Sequence, residues 1–346
     1  MTFNLKILAL FFLGTGFTAS SQNLPVQLNS NTSAKKVDVL IGGKLFTSFH
    51  YPDTIEKPFL YPINTVSGRT LTRKFPLETK AGERTDHPHH IGLWMNYESV
   101  NGLDFWNNSY AIPADKKSKY GWITNVKVEK AKSGDKGELQ YSADWNNQDK
   151  KVLLREQTVF SFSGTEKMQV IDRTTTLTVQ KDTVKFADVK DGFLAIRVTG
   201  ELESPLEKPQ EFTDIHGNKT TLSTTGQYKA NGIYLSSEGK TGNDVWGTRG
   251  KWCVLNGTVE GQDVSIAILD NPQNPGYPTY WHARGYGLFA ANPLGQKVFS
   301  NGKENLNLVL KPGEAVTFKY RIIINSGRLT TENINKLFDE FTPINR

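Results

Sequence analysis

A single cysteine among 346 residues, Cys253, leaves the chain no internal disulfide. Set between Lys251-Trp252 and Val254-Leu255, it reads as small core filler. Past residue 17 no segment approaches the roughly 18 consecutive apolar residues of a membrane span. Runs of like charge are missing too. The 41 Lys and Arg are interspersed with 35 Asp and Glu, and the net charge of +6 falls to +5 once Lys6 goes with the first 21 residues. A nucleic-acid partner needs a basic face or stripe and is not expected. There is no repeat at solenoid or propeller spacing, no phosphate loop G-x-x-x-x-G-K-[ST] and no H-E-x-x-H zinc pattern.

The first apolar segment has a different reading. Lys6, an apolar run over residues 7–17 and the small residues Thr18-Ala19-Ser20-Ser21 succeed one another in the order of an export signal. Residues 1–21 are therefore expected to be a signal peptide, with 22–346 as a single domain in the periplasm or secreted.

Strand patterns dominate the rest of the chain. Leu139, Tyr141, Ala143 and Trp145 alternate with polar residues, as do Val316, Phe318, Tyr320, Ile322 and Ile324, so each segment has one buried face. Similar short runs, including residues 44–51, 69–75, 122–128, 152–162, 168–179 and 252–259, are separated by turn signals such as Lys311-Pro312-Gly313. Only the carboxy-terminal end looks helical: Thr330 or Thr331 can cap, and Ile334, Leu337, Phe338 and Phe341 recur at helical spacing. The fold expected is all-β, a large antiparallel β-sandwich with a short C-terminal helix, and long loops at 104–119 and 201–234 that roof a cleft. A supersandwich of the galactose-mutarotase-like kind is the nearest architecture by analogy.

Polar chemistry concentrates in Glu83-Arg84-Thr85-Asp86-His87-Pro88-His89-His90-Ile91-Gly92-Leu93-Trp94, which holds three of the six histidines. If the chain is extended from His87, then His87 and His89 face one way and His90, Trp94 and Asn96 the other. Imidazoles beside Asp86 or Glu83 suit proton transfer at neutral pH. A metal site and a structural turn compete with that reading, although no cupin-like acid comes after the histidine pair at short range. A second segment, Asp270-Asn271-Pro272-Gln273-Asn274-Pro275-Gly276-Tyr277-Pro278-Thr279-Tyr280-Trp281-His282-Ala283-Arg284-Gly285-Tyr286, sets aromatic platforms beside Asn, Asp, His and Arg, as a sugar subsite would, or as a buried aromatic corner would. Glu238 and Trp246 lie in a third, glycine-rich stretch better read as loop scaffold, and Asp188, Asp191 and Arg197 read either as a further charged rim or as a plain hairpin turn.

Taken with Asn101-Gly102-x-Asp104-Phe105-Trp106, Ser237-Glu238-Gly239-Lys240 and Gly285-Tyr286-Gly287-Leu288-Phe289-Ala290-Ala291-Asn292-Pro293, these segments resemble the PmoA-like family of unknown function, automatically labelled "methane oxygenase PmoA". Ile91 stands where the family usually has arginine. The resemblance implies an exported or sugar-catabolic bacterial protein of the Bacteroidota kind, and supplies no catalytic residues. Literal methane monooxygenase activity is not expected from a chain without a span after its signal.

The expectation is a carbohydrate-active enzyme, a hydrolase, lyase or epimerase acting on a glycoside, keto-sugar or sugar acid. His89, His90 and His282 would exchange protons, with Glu83, Asp86 and Glu238 as carboxylate partners. Arg84, His87, Trp94, Asn96, Trp246, Tyr280, Trp281 and Arg284 would hold the substrate. A non-catalytic sugar-binding protein and a histidine metalloprotein are the alternatives. No cofactor is called for, though a metal ion is compatible with the histidines.

Overall fold

The computed structural model describes residues 22–213, 218–222 and 229–343; the expected signal peptide lies outside them. Strands run in the order β1 (Val26–Asn31), β2 (Lys36–Ile41), β3 (Lys44–His50), β4 (Phe59–Leu60), β5 (Leu93–Tyr97), β6 (Trp122–Lys132) and β7 (Gly137–Asn146). Next come β8 (Val152–Gly164), β9 (Met168–Val179), β10 (Val184–Lys185), β11 (Gly192–Arg197), β12 (Gln210–Thr213), β13 (Lys219–Leu222) and β14 (Ile233–Ser236). The last are β15 (Trp252–Val259), β16 (Gln262–Asp270), β17 (Tyr280–Arg284), β18 (Leu288–Asn292), β19 (Val309–Leu310) and β20 (Ala315–Ser326).

Two antiparallel eight-stranded sheets result, ordered β1-β2-β3-β4-β5-β11-β18-β17 and β14-β15-β16-β20-β9-β8-β7-β6. Alternation decides what each face meets. Along β8 the inward residues Leu154, Glu156, Thr158, Phe160 and Phe162 are buried while Arg155, Gln157 and Val159 are exposed. The inter-sheet core joins Phe49 of the first sheet, stacked 4.7 Å from Tyr141 of the second, to Phe160, Phe162, Phe318 and Tyr320.

Both outer faces are covered as well. Helix α2 (Thr331–Phe341) lies on the second sheet, packing Ile334 and Phe338 against Trp252, Leu269 and Ile323. Each such side chain contributes about 1.5–3 kcal/mol on burial. Thr330 and Asn333 form its capping box. A one-turn helix α1 (Gln296–Phe299), not expected from the sequence, precedes the last strands. Residues 69–75, expected as a strand, form only isolated bridges, Thr70 with Asn64 and Thr72 with Val198.

The outer face of the first sheet carries the polar chemistry. Cross-strand register aligns His282, Ala290, Ala195, Trp94 and Phe59 in one row and Arg284, Leu288 and Arg197 in the next. The small residues in the middle of the first row, Ala290 and Ala195, are fully buried in a cluster with Trp94, Trp106 and Leu288.

Candidate functional site

The histidine segment is a turn rather than an extended strand. His90 N–H donates to the His87 carbonyl (3.0 Å), with Pro88 at the second position, where its fixed φ suits the turn. Extended chain would have set His87 and His90 on opposite sides. The turn instead stacks their rings, 4.9 Å apart and 6° from parallel, with His89 edge-on to His90 at 4.3 Å. His90 then stacks on Trp94 (5.3 Å) and His87 on Tyr286 (5.3 Å).

One arginine that sequence reasoning did not single out holds this turn. Arg73, 1% exposed, donates to the backbone carbonyls of Phe75, Asp86, His87 and His90 and to the Asp86 carboxylate (3.0 Å). Only a planar fork of five donors can reach so many acceptors from one buried position. Arg197, fully buried on β11, donates to Asp86 (3.2 Å) and to His90 Nδ1 (3.1 Å). Arginine cannot accept, so His90 Nδ1 carries a lone pair.

These contacts assign the imidazoles. Burial, then neighbouring cations and imidazoles, hold His89 and His90 well below the usual histidine range, so both are neutral. His282 is 2% exposed; burial, then Lys190 and Arg284, pushes it down to about 3. Its Nδ1 lies 3.6 Å from Asp191, too far for a hydrogen bond, and has no partner. The three histidines expected to move protons thus share one face of the sheet but lie away from solvent. His87 is open to water, and its Nδ1 is 3.1 Å from Asp86. Burial raises the Asp86 carboxyl, yet the hydrogen bond from His87 and the charges of Arg197, His87 and Arg73 outweigh it and hold it well below the carboxylate range. An ionised Asp86 fixes the Nδ1–H tautomer and leaves the lone pair on Nε2.

Beside His87 opens a cavity of about 340 Å³, lined among others by Arg84, Ser204, Gln210, Asn243, Trp246, Arg284 and Tyr286. Arg84 reaches Glu203 (2.9 Å) and Gln210 (2.9 Å). Arg284 lies over the rings of Trp246 (5.2 Å) and Tyr286 (5.7 Å). Of the residues expected to hold substrate, Arg84, Trp246 and Arg284 meet here with His87 at the margin.

The others are placed elsewhere. Trp94 and Asn96 are sealed, bonded to each other (3.1 Å), under Trp106 and the Phe105 carbonyl. Trp281 points from β17 into the inter-sheet core, the face opposite Tyr280, His282 and Arg284. Tyr280 stacks on Phe299 (5.4 Å). Glu83 is buried and accepts the Lys74 and Phe75 N–H groups, which anchors the loop. Exposed Glu238 bonds to its neighbour Ser237. Among the described residues no three His, Cys, Asp or Glu side chains converge as metal ligands, and no helix is long and apolar enough to cross a membrane.

Tyr286, Asn243, Ser204 and Glu203 went unassigned in the sequence. Tyr286 comes two residues after Arg284, a spacing that in an unbroken strand would have signalled a shared face.

Sheet order and this arginine-rich hollow define an antiparallel β-sandwich protein with a polar pocket on the outer face of one sheet. The chain belongs to a family of unknown function, DUF6807, whose model matches residues 36–339. That membership carries no methane-oxygenase relationship, so the label implied by the sequence resemblance is not adopted. A comparison with curated proteins found no match. Among solved structures, the chain is similar to a galactose mutarotase-like protein from Clostridium acetobutylicum, at 13% identity and a TM-score of 0.35, covering 88% of this chain and 99% of that one. It is also similar to the galactosidase domain of an α-galactosidase–sucrose kinase, at 9% identity, TM-score 0.40, covering 86% of this chain. An α-galactosidase from Geobacillus stearothermophilus is similar at 11% identity, TM-score 0.35, covering 88% of this chain. This chain spans about two-fifths of each galactosidase, 42% and 41%.

Proposed function

We propose that this protein is an exported carbohydrate-active enzyme, periplasmic or secreted, that uses His87 and Asp86 for acid–base chemistry on a sugar derivative. One observation carries the reading: the water-accessible imidazole, tied at Nδ1 to an ionised carboxylate, stacks on a tyrosine that lines the pocket. A pyranose offers an apolar C–H face to Trp246, which is 39% exposed, and hydroxyls to Asn243, Gln210 and Arg84.

With the sugar held there, Nε2 of His87 accepts a proton from a hydroxyl or from carbon next to a carbonyl, and the imidazolium formed is stabilised by Asp86. Taken from carbon, that proton goes to the departing β-oxygen in elimination, or to the opposite face of a re-oriented enolate in epimerisation; taken from a water that attacks the anomeric carbon, it goes to the departing glycosidic oxygen in hydrolysis. Arg73 and Arg197 act through Asp86 and the turn, as positioning residues. His89 and His90 support the His87 ring from below and stay neutral. The export part of the reading rests on the order of charge, apolar run and small residues at the amino terminus.

The test is a turnover screen of glycosides, keto-sugars and sugar acids, and then His87→Gln on the best substrate. A loss of about 10²–10⁴-fold in kcat is expected, with a pH–rate profile whose limb disappears in the variant. Saturable sugar binding without turnover would assign a binding protein instead.

A further inference from the structure

Arg284 differs from the other arginines of the site in having no acceptor among the described residues. Arg73, Arg84 and Arg197 are engaged by Asp86, Glu203, Gln210 and backbone carbonyls. Arg284 is half-buried, clamped over Trp246 and Tyr286, and among the described residues donates no hydrogen bond and forms no ion pair. Two rings fix the plane of a weakly hydrated guanidinium while its N–H groups stay available to the cavity.

The pocket wall around it adds two observations. Ser204 Oγ is buried there without a partner. Gly285, the next residue, leaves space that a side chain would close, since a Cβ would stand 2.9 Å from Asn243 Oδ1 and 3.2 Å from Ser204 Oγ. Asp86 and Glu203 pair with Arg73, Arg84 and Arg197, and Glu83 adds its charge beside Arg73; Asp191 acts on Arg284 only at longer range, and among the described residues no carboxylate stands within ion-pair distance of it.

We propose that the pocket takes an acidic sugar, a uronic acid, with its carboxylate in the fork of Arg284 and its ring against Trp246; the reaction of that sugar at His87 rests on the acid–base function already proposed. A carboxylate presents two coplanar oxygens that match a guanidinium edge. It brings a single charge to that one guanidinium, whereas a phosphate monoester brings close to two.

Calorimetric titration tests this with methyl glucuronide and methyl galacturonide against the neutral methyl glucoside and galactoside, with glucose 6-sulfate and glucose 6-phosphate as further arms. The acids should bind at least tenfold tighter than the neutral sugars. Arg284→Gln should abolish that advantage and Arg284→Lys should keep part of it, while Trp246→Ala should weaken acid and neutral sugars alike. Equal binding of acid and neutral sugars, an acid preference that survives Arg284→Gln, or a preference for sulfate or phosphate over carboxylate would overturn it. The two readings fail separately. Arg284-dependent acid binding without turnover upholds the acidic ligand and removes the catalytic role of His87. His87-dependent turnover of neutral sugars with no acid preference does the reverse.

Discussion

Two buried arginine–carboxylate networks can be set side by side in this molecule. Between the sheets, Glu156 accepts from Tyr141 (2.6 Å), Trp145 (2.8 Å), Thr158 (2.7 Å) and Arg173 (3.0 Å), and Arg173 also reaches Thr175 and Tyr141. All come from three neighbouring strands, β7, β8 and β9, whose register puts them on the inner face. Charge there is balanced one to one and nothing leads to water. Outside the first sheet, Asp86 is held by Arg73 and Arg197, which come from different parts of the chain, with Arg84 3.8 Å away, and it also meets the open His87 ring. Buried charge alone therefore marks no site. What distinguishes the outer network is a titratable group that meets solvent.

The largest expected effect lies in the inner network. Glu156→Gln leaves Arg173 charged, buried and unmatched, and should cost about 3–5 kcal/mol, read as a lower denaturant midpoint. Asp86→Asn, at the partly open network, should cost about 1–3 kcal/mol yet lose turnover as severely as His87→Gln. If Asp86→Asn proved the more destabilising, the outer network would be a folding element and the contrast between the two would collapse.

Next in size is a pH effect confined to the outer face. His89, His90 and His282 are held neutral by burial, the last down to about 3, while in the unfolded chain each titrates near 6.5. For these three groups the unfolded state binds more protons below about pH 6.5, so their contribution to stability is complete above that pH and drains as pH falls. The slope is about 1.4 kcal/mol per pH unit for each histidine, continuing for His282 until its own protonation near 3. His282→Asn should reduce the slope of unfolding free energy between pH 6 and 4 by about one proton's worth. A slope unchanged by that substitution would mean that His282 charges readily in the fold.

How far the sequence discloses all this depends on the range of the interactions. Strand alternation is local, so the sheets and the docking face of α2 could be read from Tyr141, Phe318 or Ile334 alone. The pocket could be read only in part. His87, Arg84, Trp246 and Arg284 stood out by type, but the turn that opens His87 and seals His89 and His90 depends on Arg73, which sits in a segment that resembles a strand. Trp281 illustrates the opposite failure: period two would have put it on the face away from His282, but its aromatic character drew it into the site. Glu203 is an ordinary loop acid until the fold places it 2.9 Å from Arg84, 119 residues away.

The smallest effect belongs to the residue whose neighbours in sequence most suggested chemistry. Glu238 comes after a serine pair and precedes Gly239-Lys240, yet its carboxylate is exposed and bonds to the adjacent Ser237 hydroxyl at 3.0 Å. An exposed local hydrogen bond of this sort is worth little, because water replaces it at almost no cost. The pocket wall does not include it, and its hydroxyl partner is the neighbouring residue rather than His87 or Asp86. Glu238→Ala should therefore leave the denaturant midpoint within about 0.5 kcal/mol of wild type and turnover within about a factor of two. A tenfold fall in kcat with stability unchanged would bring the 236–247 segment into contact with substrate, and would move the reacting bond from the His87 side of the pocket to the Trp246 side.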